Sequence, residues 1–142
     1  MFAVPVMLQR MMELPSDPAA RSRRRLRVVA TSGSAYPSGF TTKFMDEYGD
    51  VLYNLYGSTE VSFATIAGPQ HLSKNPSTVG PVVKGMKVKI FDDNGNELPQ
   101  GEVGRIFVGS FFPFEGYTGG GGKQIIDGLL SSGDVGYFDE DD

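Results

Sequence analysis

The chain has 142 residues, a formal net charge of −4, no cysteine and a hydrophobic content of 39%. The missing cysteines exclude disulfides, thiolate catalysis and Cys-based zinc sites, and the acidic balance argues against a nucleic-acid partner. No apolar run reaches the ~20 residues of a membrane-spanning helix and no signal peptide is recognisable, so we expect a cytoplasmic protein for which peripheral membrane contact stays open.

Up to residue 70 the chain alternates between helical and strand-like patterns. Apolar residues at helical spacing, and a proline suited to a first helical turn, mark two helices. Short apolar runs mark three strands. The helices are predicted over 1–14 and 37–48, and the strands over 26–30, 51–55 and 61–67. This alternation with short links is typical of an open α/β sheet.

After residue 70 the chain turns to short strand-like runs separated by glycines and prolines. Asn94-Gly95 is the strongest short signal of a β-hairpin, and no helix is expected in this half except around 123–126. The strand-like runs cover 79–83, 87–91 and 103–108. The predicted fold class is therefore α/β: the end of an open α/β sheet subdomain over 1–70, followed by an all-β, barrel-like subdomain over 71–142.

Several segments resemble known binding motifs but lack residues that those motifs require. Residues 92–96 alternate as in a calcium loop, but Glu97 stands where the sharp-turn glycine is required, which favours a hairpin. Residues 119–123 (Gly-Gly-Gly-Gly-Lys) lack the first glycine of a Walker loop and the Ser or Thr after its lysine, which favours a flexible loop. The basic run 21–25 is expected to be solvated, and the single histidine, His71, to be hydrogen-bonded or on the surface.

Three polar segments have the composition of ligand-binding loops. Thr31–Ala35 and Tyr56–Glu60 follow the first two predicted strands, and 131–137 forms a predicted turn around Asp134 in the β-rich half. Ligands of open α/β sheets bind outside the carboxyl ends of the strands. If the two strands are parallel neighbours, the first two loops therefore open toward the same crevice.

The first two loops suit an adenine base and its phosphates. Gly33 and Ala35 let the backbone approach a flat base closely, and Tyr56 offers a face for stacking. Thr59 presents a hydroxyl that can donate to a phosphate oxygen, and Glu60 offers the carboxylate oxygen that Mg²⁺ prefers. Taken singly, each residue also has an ordinary structural explanation. The Gly33–Ala35 segment could be a simple turn, and Tyr56 could be an aromatic residue of the core.

Asp134 suits the ribose of a nucleotide. Its carboxylate can accept two hydrogen bonds from a ribose diol, as the acidic residue of dinucleotide sites does. Alone, an aspartate after Gly133 is also what many β-turns contain, so the assignment depends on the other two segments.

Taken in order, these segments resemble the motifs of the adenylate-forming enzymes, which include acyl-CoA synthetases, luciferases and peptide-synthetase adenylation domains. Asn54–Glu60 is similar to the family's Tyr-Gly-x-Thr-Glu core motif, Gly33–Ala35 to its adenine loop, and Ser132–Tyr137 to its Gly-Asp motif. Segments that resemble the family's β-barrel subdomain and the approach to it are 79–81, 101–106 and 114–117. The resemblance implies part of the large N-terminal domain of an acyl-CoA synthetase.

The resemblance implies a role for each matched residue. Tyr56 would stack on adenine, Asp134 would hold the ribose hydroxyls, and Glu60 would bind Mg²⁺. The implied catalytic residues are Thr59, which would contact phosphate, and Glu60. The implied cofactor-binding residues are Gly33, Ser34, Ala35, Tyr56, Gly57, Ser58 and Asp134. The implied reaction joins a fatty acid or other carboxylate to ATP, giving acyl-AMP and pyrophosphate, and then passes the acyl group to the thiol of coenzyme A.

The chain also departs from the family pattern. Nothing before residue 30 resembles the family's phosphate loop with its lysine, and no hinge or lysine-bearing C-terminal domain follows Asp134. We therefore expect a fragment of a fatty-acid–CoA ligase, inactive alone, whose exposed sheet edges favour a dimer or higher oligomer. The tripeptide sequence Ser58-Thr59-Glu60 favours a CoA ligase over a fatty-acyl-AMP ligase. The alternative is a non-catalytic nucleotide-binding or β-rich interaction module.

Overall fold

A computed structural model of the chain describes residues 1–14, 26–109 and 123–140. The chain folds into two compact units, of which unit 1 comprises Met1–Tyr56 and Ile66–Gly80, and unit 2 comprises Gly57–Thr65 and Pro81–Asp142. The basic run 21–25, the motif 114–117 and the glycines 119–122 lie outside the described residues. No helix in the described part of the chain is long and apolar enough to cross a membrane.

Parallel strands form the frame of unit 1. Strands β1 (Phe2–Ala3), β2 (Val29–Thr31) and β3 (Leu52–Ser58) pair in parallel, and β4 (Ser62–Ala67) completes the strand order β1-β2-β3-β4. In the register of β2 and β3, Val29 lies opposite Leu52 and Thr31 opposite Asn54. The three predicted strands are confirmed with shifted ends, whereas the two-residue strand β1 is too short to predict from periodicity.

Among the residues that the structure describes, unit 1 contains three helices: α1 (Pro5–Glu13), α2 (Phe40–Tyr48) and α3 (Pro69–Lys74). Helix α2 begins at Phe40 rather than at Pro37, because Gly39 takes a left-handed φ of 71° at its N-cap. The expectation of no helix after residue 70 is wrong, because Pro69 fits the start of α3. His71 Nδ1 accepts a hydrogen bond from the Gly68 N–H at 3.0 Å, which confirms its hydrogen-bonded role.

The core of unit 1 joins its helices to its sheet. The buried side chains of the described residues come from the three helices and from all four strands of the sheet: Ala3, Leu8, Val29, Phe40, Phe44, Leu52, Ala67 and Leu72. Within α2, Phe44 stacks on Phe40 at 5.8 Å and on Tyr48 at 4.5 Å between ring centroids. Because burial stabilises each large apolar side chain by roughly 1.5–3 kcal/mol, this cluster fixes the strands whose carboxyl ends carry the first two polar segments.

Unit 2 is built on an antiparallel sheet with the strand order β5-β6-β8-β7. The strands are β5 (Lys87–Phe91), β6 (Gly104–Gly109), β7 (Ile125–Ile126) and β8 (Leu129–Gly136). Its core contains Phe91, Phe107 and Leu129, with the two rings edge to face at 5.1 Å. The predicted fold class, the end of an open α/β sheet followed by an all-β part, is confirmed, and so are the strands predicted over 87–91 and 103–108.

Three local predictions in this half are wrong. Residues 79–83 form a single bridge, from Val82 to Thr65, instead of a strand. Residues 123–126 lead into β7 instead of a helix. Residues 131–137 are mostly strand instead of a turn, because β8 pairs with β6 from Leu130 to Gly136.

The hairpin predicted at Asn94-Gly95 is confirmed, and it follows β5. Phe91 forms an antiparallel bridge with Glu97, and Gly95 takes a left-handed φ of 85°. Asp92 Oδ1 accepts hydrogen bonds from the backbone N–H groups of Asn94 at 2.9 Å and Asn96 at 2.8 Å. The hairpin is therefore closed by an aspartate whose oxygens bind the loop itself.

Candidate functional site

The Gly33–Ala35 segment leaves the carboxyl end of β2 as a turn in unit 1. Gly33 takes a φ of 98°, and an added Cβ would meet only Val4 Cγ1, at 3.7 Å. Its glycine is therefore needed for backbone conformation and not for packing. Gly33, Ser34 and Ala35 are all exposed, and their role as a base-binding loop stays a prediction.

Thr31, which begins the predicted polar segment, and Tyr36, which the sequence does not single out, hold this turn in place. The buried Thr31 hydroxyl is hydrogen-bonded to the Tyr36 hydroxyl across the turn, and it donates to the Tyr53 carbonyl of β3 at 3.2 Å. Burial raises the pKa of Tyr36, and the hydrogen bond with Thr31 opposes that rise only in part. The neutral hydroxyl pair therefore ties the turn to both strands.

Tyr56 lies within strand β3 and not in a loop, which corrects the prediction for the start of the Tyr56–Glu60 segment. Because Thr31 pairs with Asn54 in parallel register, Tyr56 follows at the edge where β2 ends. The predicted parallel pairing of the two strands is therefore confirmed, and it places Gly33–Ala35 and Tyr56 at one edge of the sheet. The buried Asn54 donates to the Thr78 carbonyl at 3.2 Å, so this residue of the motif fastens β3 within unit 1.

Residues 57–60 form the tip of the β3–β4 hairpin, which belongs to unit 2. A Cβ added to Gly57 would lie 1.9 Å from the Ser62 carbonyl oxygen. Gly57 is therefore required because the two strands approach closely, a reason that the sequence does not reveal. The turn itself exposes Thr59, and Val61 N–H donates to the Ser58 carbonyl at 3.3 Å.

Ser58 carries a buried hydroxyl for which no hydrogen-bond partner exists among the described residues. Buried hydroxyl groups in folded proteins nearly always have a partner, from protein or water. The Ser58 hydroxyl is therefore suited to a hydrogen bond with a bound ligand or an ordered water at the hairpin tip.

Glu60 contacts a lysine from a distant part of the chain. Its Oε1 lies 3.3 Å from Lys123 Nζ, and the exposed fractions are 11% for the Glu60 side chain and 29% for the Lys123 side chain. Lys123 Nζ also donates to the Ser132 carbonyl at 3.3 Å. Within unit 2, the ammonium group thus joins the hairpin tip to strand β8. In the sequence, Lys123 appears only as the end of a failed phosphate loop.

Asp134 lies on a β-bulge of strand β8. Arg105 pairs with Val135 and Phe107 with Ser131, so Ser132–Asp134 face a single residue of β6. Gly133 takes a left-handed φ of 92°. Ser132 Oγ donates to the Ile106 carbonyl and accepts from the Asp134 N–H, both at 3.1 Å. The bulge leaves Asp134 exposed, in keeping with the use of bulges to aim side chains at functional sites.

The donor set fits a magnesium ion that arrives with a nucleotide. Among the residues that the structure describes, no three His, Cys, Asp or Glu side chains gather at a metal-binding distance. Mg²⁺ commonly binds one or two protein carboxylates and takes its other ligands from phosphates and water. A single shielded carboxylate, that of Glu60, meets this requirement.

Comparison with known proteins agrees with these motifs. Residues 1–118 match the family model described as AMP-binding enzyme. The chain is 37% identical over 118 residues to YdaB of Bacillus subtilis (strain 168), a match that covers 80% of this chain and 23% of that protein. It is 29% identical over 151 residues to the medium-chain-fatty-acid–CoA ligase of Ectopseudomonas oleovorans, covering 97% of this chain and 28% of that protein.

The solved structures lead to the same family. The amide bond synthetase McbA from Marinactinospora thermotolerans superposes with a TM-score of 0.83 and 29% identity, over 99% of this chain and 29% of that one. The chain thus spans about a quarter of the length of the curated relatives that it matches. The resemblance seen in the motifs is confirmed.

Proposed function

The chain belongs to the AMP-binding enzyme family, and we propose that it is the adenylate-binding part of an ATP-dependent fatty-acid–CoA ligase. The observation that carries the proposal is the parallel pairing of β2 with β3, which puts the Gly33–Ala35 turn and Tyr56 at one sheet edge. Ligands of open α/β sheets bind at such an edge. The sequence identity to a medium-chain-fatty-acid–CoA ligase and the tripeptide sequence Ser58-Thr59-Glu60 support a fatty acid and coenzyme A as the substrates.

In unit 1, the adenine-binding residues of this proposal act by shape. Gly33, Ser34 and Ala35 present backbone to the base, and the half-buried ring of Tyr56 stacks on it. Stacking of a base on an aromatic ring contributes about 1–3 kcal/mol. Thr31 and Tyr36 keep the turn in position for this contact.

In unit 2, the proposed residues act by charge and hydrogen bonding. Thr59 donates its hydroxyl to a phosphate oxygen, and the Asp134 carboxylate accepts from the ribose hydroxyls. Gly57 lets the hairpin close, and Ser58 offers the buried hydroxyl. Glu60 holds Mg²⁺, which when bound neutralises charge on the phosphates. Because these groups are fixed before the reaction, they can stabilise the charge that develops on phosphate.

The reaction of the whole enzyme has two steps. A carboxylate oxygen of the fatty acid bonds to the α-phosphorus of ATP, and pyrophosphate leaves. The sulfur of coenzyme A then bonds to the acyl carbon, and AMP leaves. We propose that these 142 residues bind adenylate without completing either step, because no residue here resembles the family's phosphate-loop lysine or its adenylation lysine.

Exposed apolar residues on edge strands support a dimer or higher oligomer. Phe2 on β1 is 62% exposed and Ile125 on β7 is 65% exposed, and each strand stands at the end of its sheet order. Strands at the end of a sheet, with apolar side chains exposed to solvent, favour pairing between chains. Light scattering of the chain is expected to give a mass above that of the monomer, and a monomer at high concentration would contradict the assignment.

Titration with a hydrolysis-resistant acyl-adenylate analogue, followed by calorimetry, tests the proposed function. Tyr56→Ala and Asp134→Asn should each weaken binding by about tenfold or more, through lost stacking and a lost charged acceptor. Tyr53→Ala, on the opposite face of β3, and Asp127→Asn, an exposed aspartate of unit 2, are the matched controls. Circular dichroism confirms that each variant is folded.

Two outcomes would favour the alternative, a module that keeps these motifs for folding alone. One is equal affinity of the chain and both site variants. The other is no binding by any of them at millimolar analogue.

A further inference from the structure

Lys123 lies beside the carboxylate of Glu60, the residue that binds Mg²⁺ in the proposed function. The ammonium of Lys123 lies 3.3 Å from Glu60 Oε1, in a pair whose side chains are 29% and 11% exposed. Ion pairs exposed to solvent contribute little, because water screens them. This pair is largely shielded, so the attraction between its charges is stronger than at an open surface.

A second contact fixes the ammonium in this position. Lys123 Nζ donates to the Ser132 carbonyl at 3.3 Å, and Ser132 belongs to the bulge that carries Asp134. The lysine is therefore held from two sides within unit 2. These two contacts hold the ammonium group beside the Glu60 carboxylate.

A divalent ion cannot share this oxygen with the ammonium without cost. Mg²⁺ binds oxygen at about 2.0–2.1 Å, and Lys123 Nζ lies 3.3 Å from Glu60 Oε1. Two cations on one oxygen repel each other strongly in a shielded site. Metal binding at Oε1 therefore requires that Lys123 leaves that oxygen, and the ammonium also opposes the charge of an ion bound at the other oxygen of this carboxylate.

We propose that Lys123 is an internal counter-cation of Glu60, which competes with free divalent metal and keeps the carboxylate neutralised until a nucleotide arrives. The phosphates of a nucleotide would give the displaced ammonium a new anionic partner, whereas a free metal ion gives it none. Lys123 thus makes metal loading depend on nucleotide. This inference rests on the metal-binding role of Glu60 in the proposed function.

Binding of Mn²⁺ alone to the 142-residue chain, measured by electron paramagnetic resonance without nucleotide, tests the inference. Lys123→Met and Lys123→Gln should each bind Mn²⁺ about tenfold more tightly than the unsubstituted chain, since an opposite charge at this distance shifts a carboxylate equilibrium by at least that factor. Lys123→Arg should bind as weakly as the unsubstituted chain. The gain should vanish in Lys123→Met/Glu60→Gln.

A second lysine of unit 2 supplies the matched control. Lys89 pairs with Glu97 at 2.6 Å, with side chains 35% and 53% exposed. Lys89→Met removes the same charge from a more open pair, and it should leave Mn²⁺ binding at Glu60 unchanged. Two variants at position 123 are used so that a folding defect in one, detected by circular dichroism, does not decide the result.

Equal or weaker Mn²⁺ binding by folded Lys123→Met and Lys123→Gln would overturn the inference, and so would a gain that persists in the Glu60→Gln background. The metal measurement contains no adenylate. If the acyl-adenylate analogue fails to bind while Lys123→Met still gains Mn²⁺ affinity through Glu60, then the proposed function falls and the competition at Glu60 stands.

Discussion

The two units present their candidate ligand-binding residues by different structural means. In unit 1, the Gly33–Ala35 turn and Tyr56 come together because parallel neighbouring strands end at the same edge. In unit 2, Glu60 stands on a hairpin tip and Asp134 on a bulge, both local departures from regular pairing. The first arrangement follows from topology, whereas the second depends on single glycines and on long-range hydrogen bonds.

The glycines of the motifs are required for two different physical reasons. Gly33 and Gly133 have left-handed φ values of 98° and 92°, and an added Cβ would meet little or nothing. Gly57 is needed for a different reason, because its neighbour strand leaves no room for a Cβ. A motif glycine therefore serves backbone conformation in both units, and close packing at Gly57 of unit 2.

The largest expected effect comes from the aromatic core of either unit. Phe44→Ala in unit 1 and Phe107→Ala in unit 2 each empty a site that is 0% exposed, and such truncations cost about 3–5 kcal/mol of the free energy of unfolding. Amide hydrogen exchange should quicken mainly in the unit that carries the substitution. An equal increase in both units would mean that they unfold together, and the comparison between them would lose its thermodynamic basis.

A smaller effect is expected from Gly57→Ala, which tests the close packing of the hairpin. The new methyl group would lie 1.9 Å from the Ser62 carbonyl oxygen, so the strands must separate, at about 1–3 kcal/mol or more. Gly133→Ala is the control for conformation alone, with about 1–2 kcal/mol expected. Urea unfolding compares the two. If Gly57→Ala proves the milder substitution, the steric reason given for this glycine is wrong.

The sequence predicts unit 1 better than unit 2, for physical reasons. Apolar runs and helical spacing reveal β2, β3, α1 and α2, because each buries a face large enough to show in the pattern. Strand β1 and helix α3 are too short for that. The segment around Asp134 has the composition of a turn, and its pairing with β6 depends on residues far away in the chain. The contact of Lys123 with Glu60 leaves no local pattern at all.

Alkaline pH should act on unit 1 through Tyr36. Burial raises the pKa of its hydroxyl in the folded chain, so the stability that depends on the neutral form is complete below pH about 10, the ordinary tyrosine value. It is lost as the pH rises through the folded-state pKa. Tyr36→Phe removes the hydrogen bond to Thr31 and about 0.5–1.5 kcal/mol at neutral pH.

Urea unfolding at pH 8 and at pH 11 measures this effect. The difference in the free energy of unfolding between the unsubstituted chain and Tyr36→Phe should shrink or reverse at the higher pH. Only the unsubstituted chain has to keep this hydroxyl neutral. Tyr53→Phe, on the neighbouring strand, is the control for loss of a tyrosine hydroxyl. If the loss in free energy of unfolding caused by Tyr36→Phe is the same at the two pH values, then ionisation of Tyr36 does not affect the stability of unit 1.

Acid pH should act on unit 2 through Asp92, with the smallest effect of the series. Hydrogen bonds from the side chain and backbone of Asn96, and then from Asn94, lower the pKa of the Asp92 carboxyl. The stability that they contribute is present above pH about 4, the ordinary aspartate value, and is lost as the pH falls through the folded-state pKa. Asp92→Asn should therefore destabilise the chain at pH 7 and have little effect near pH 2.

Asp93→Asn removes the same charge from the adjacent residue without removing the acceptor of these bonds, so it should change the midpoint of urea unfolding less at pH 7. If Asp92→Asn destabilises equally at both pH values, the carboxylate charge does not close the hairpin. The loop would then depend on the left-handed Gly95 alone, and unit 2 would resemble unit 1 in relying on glycine conformation at its turns.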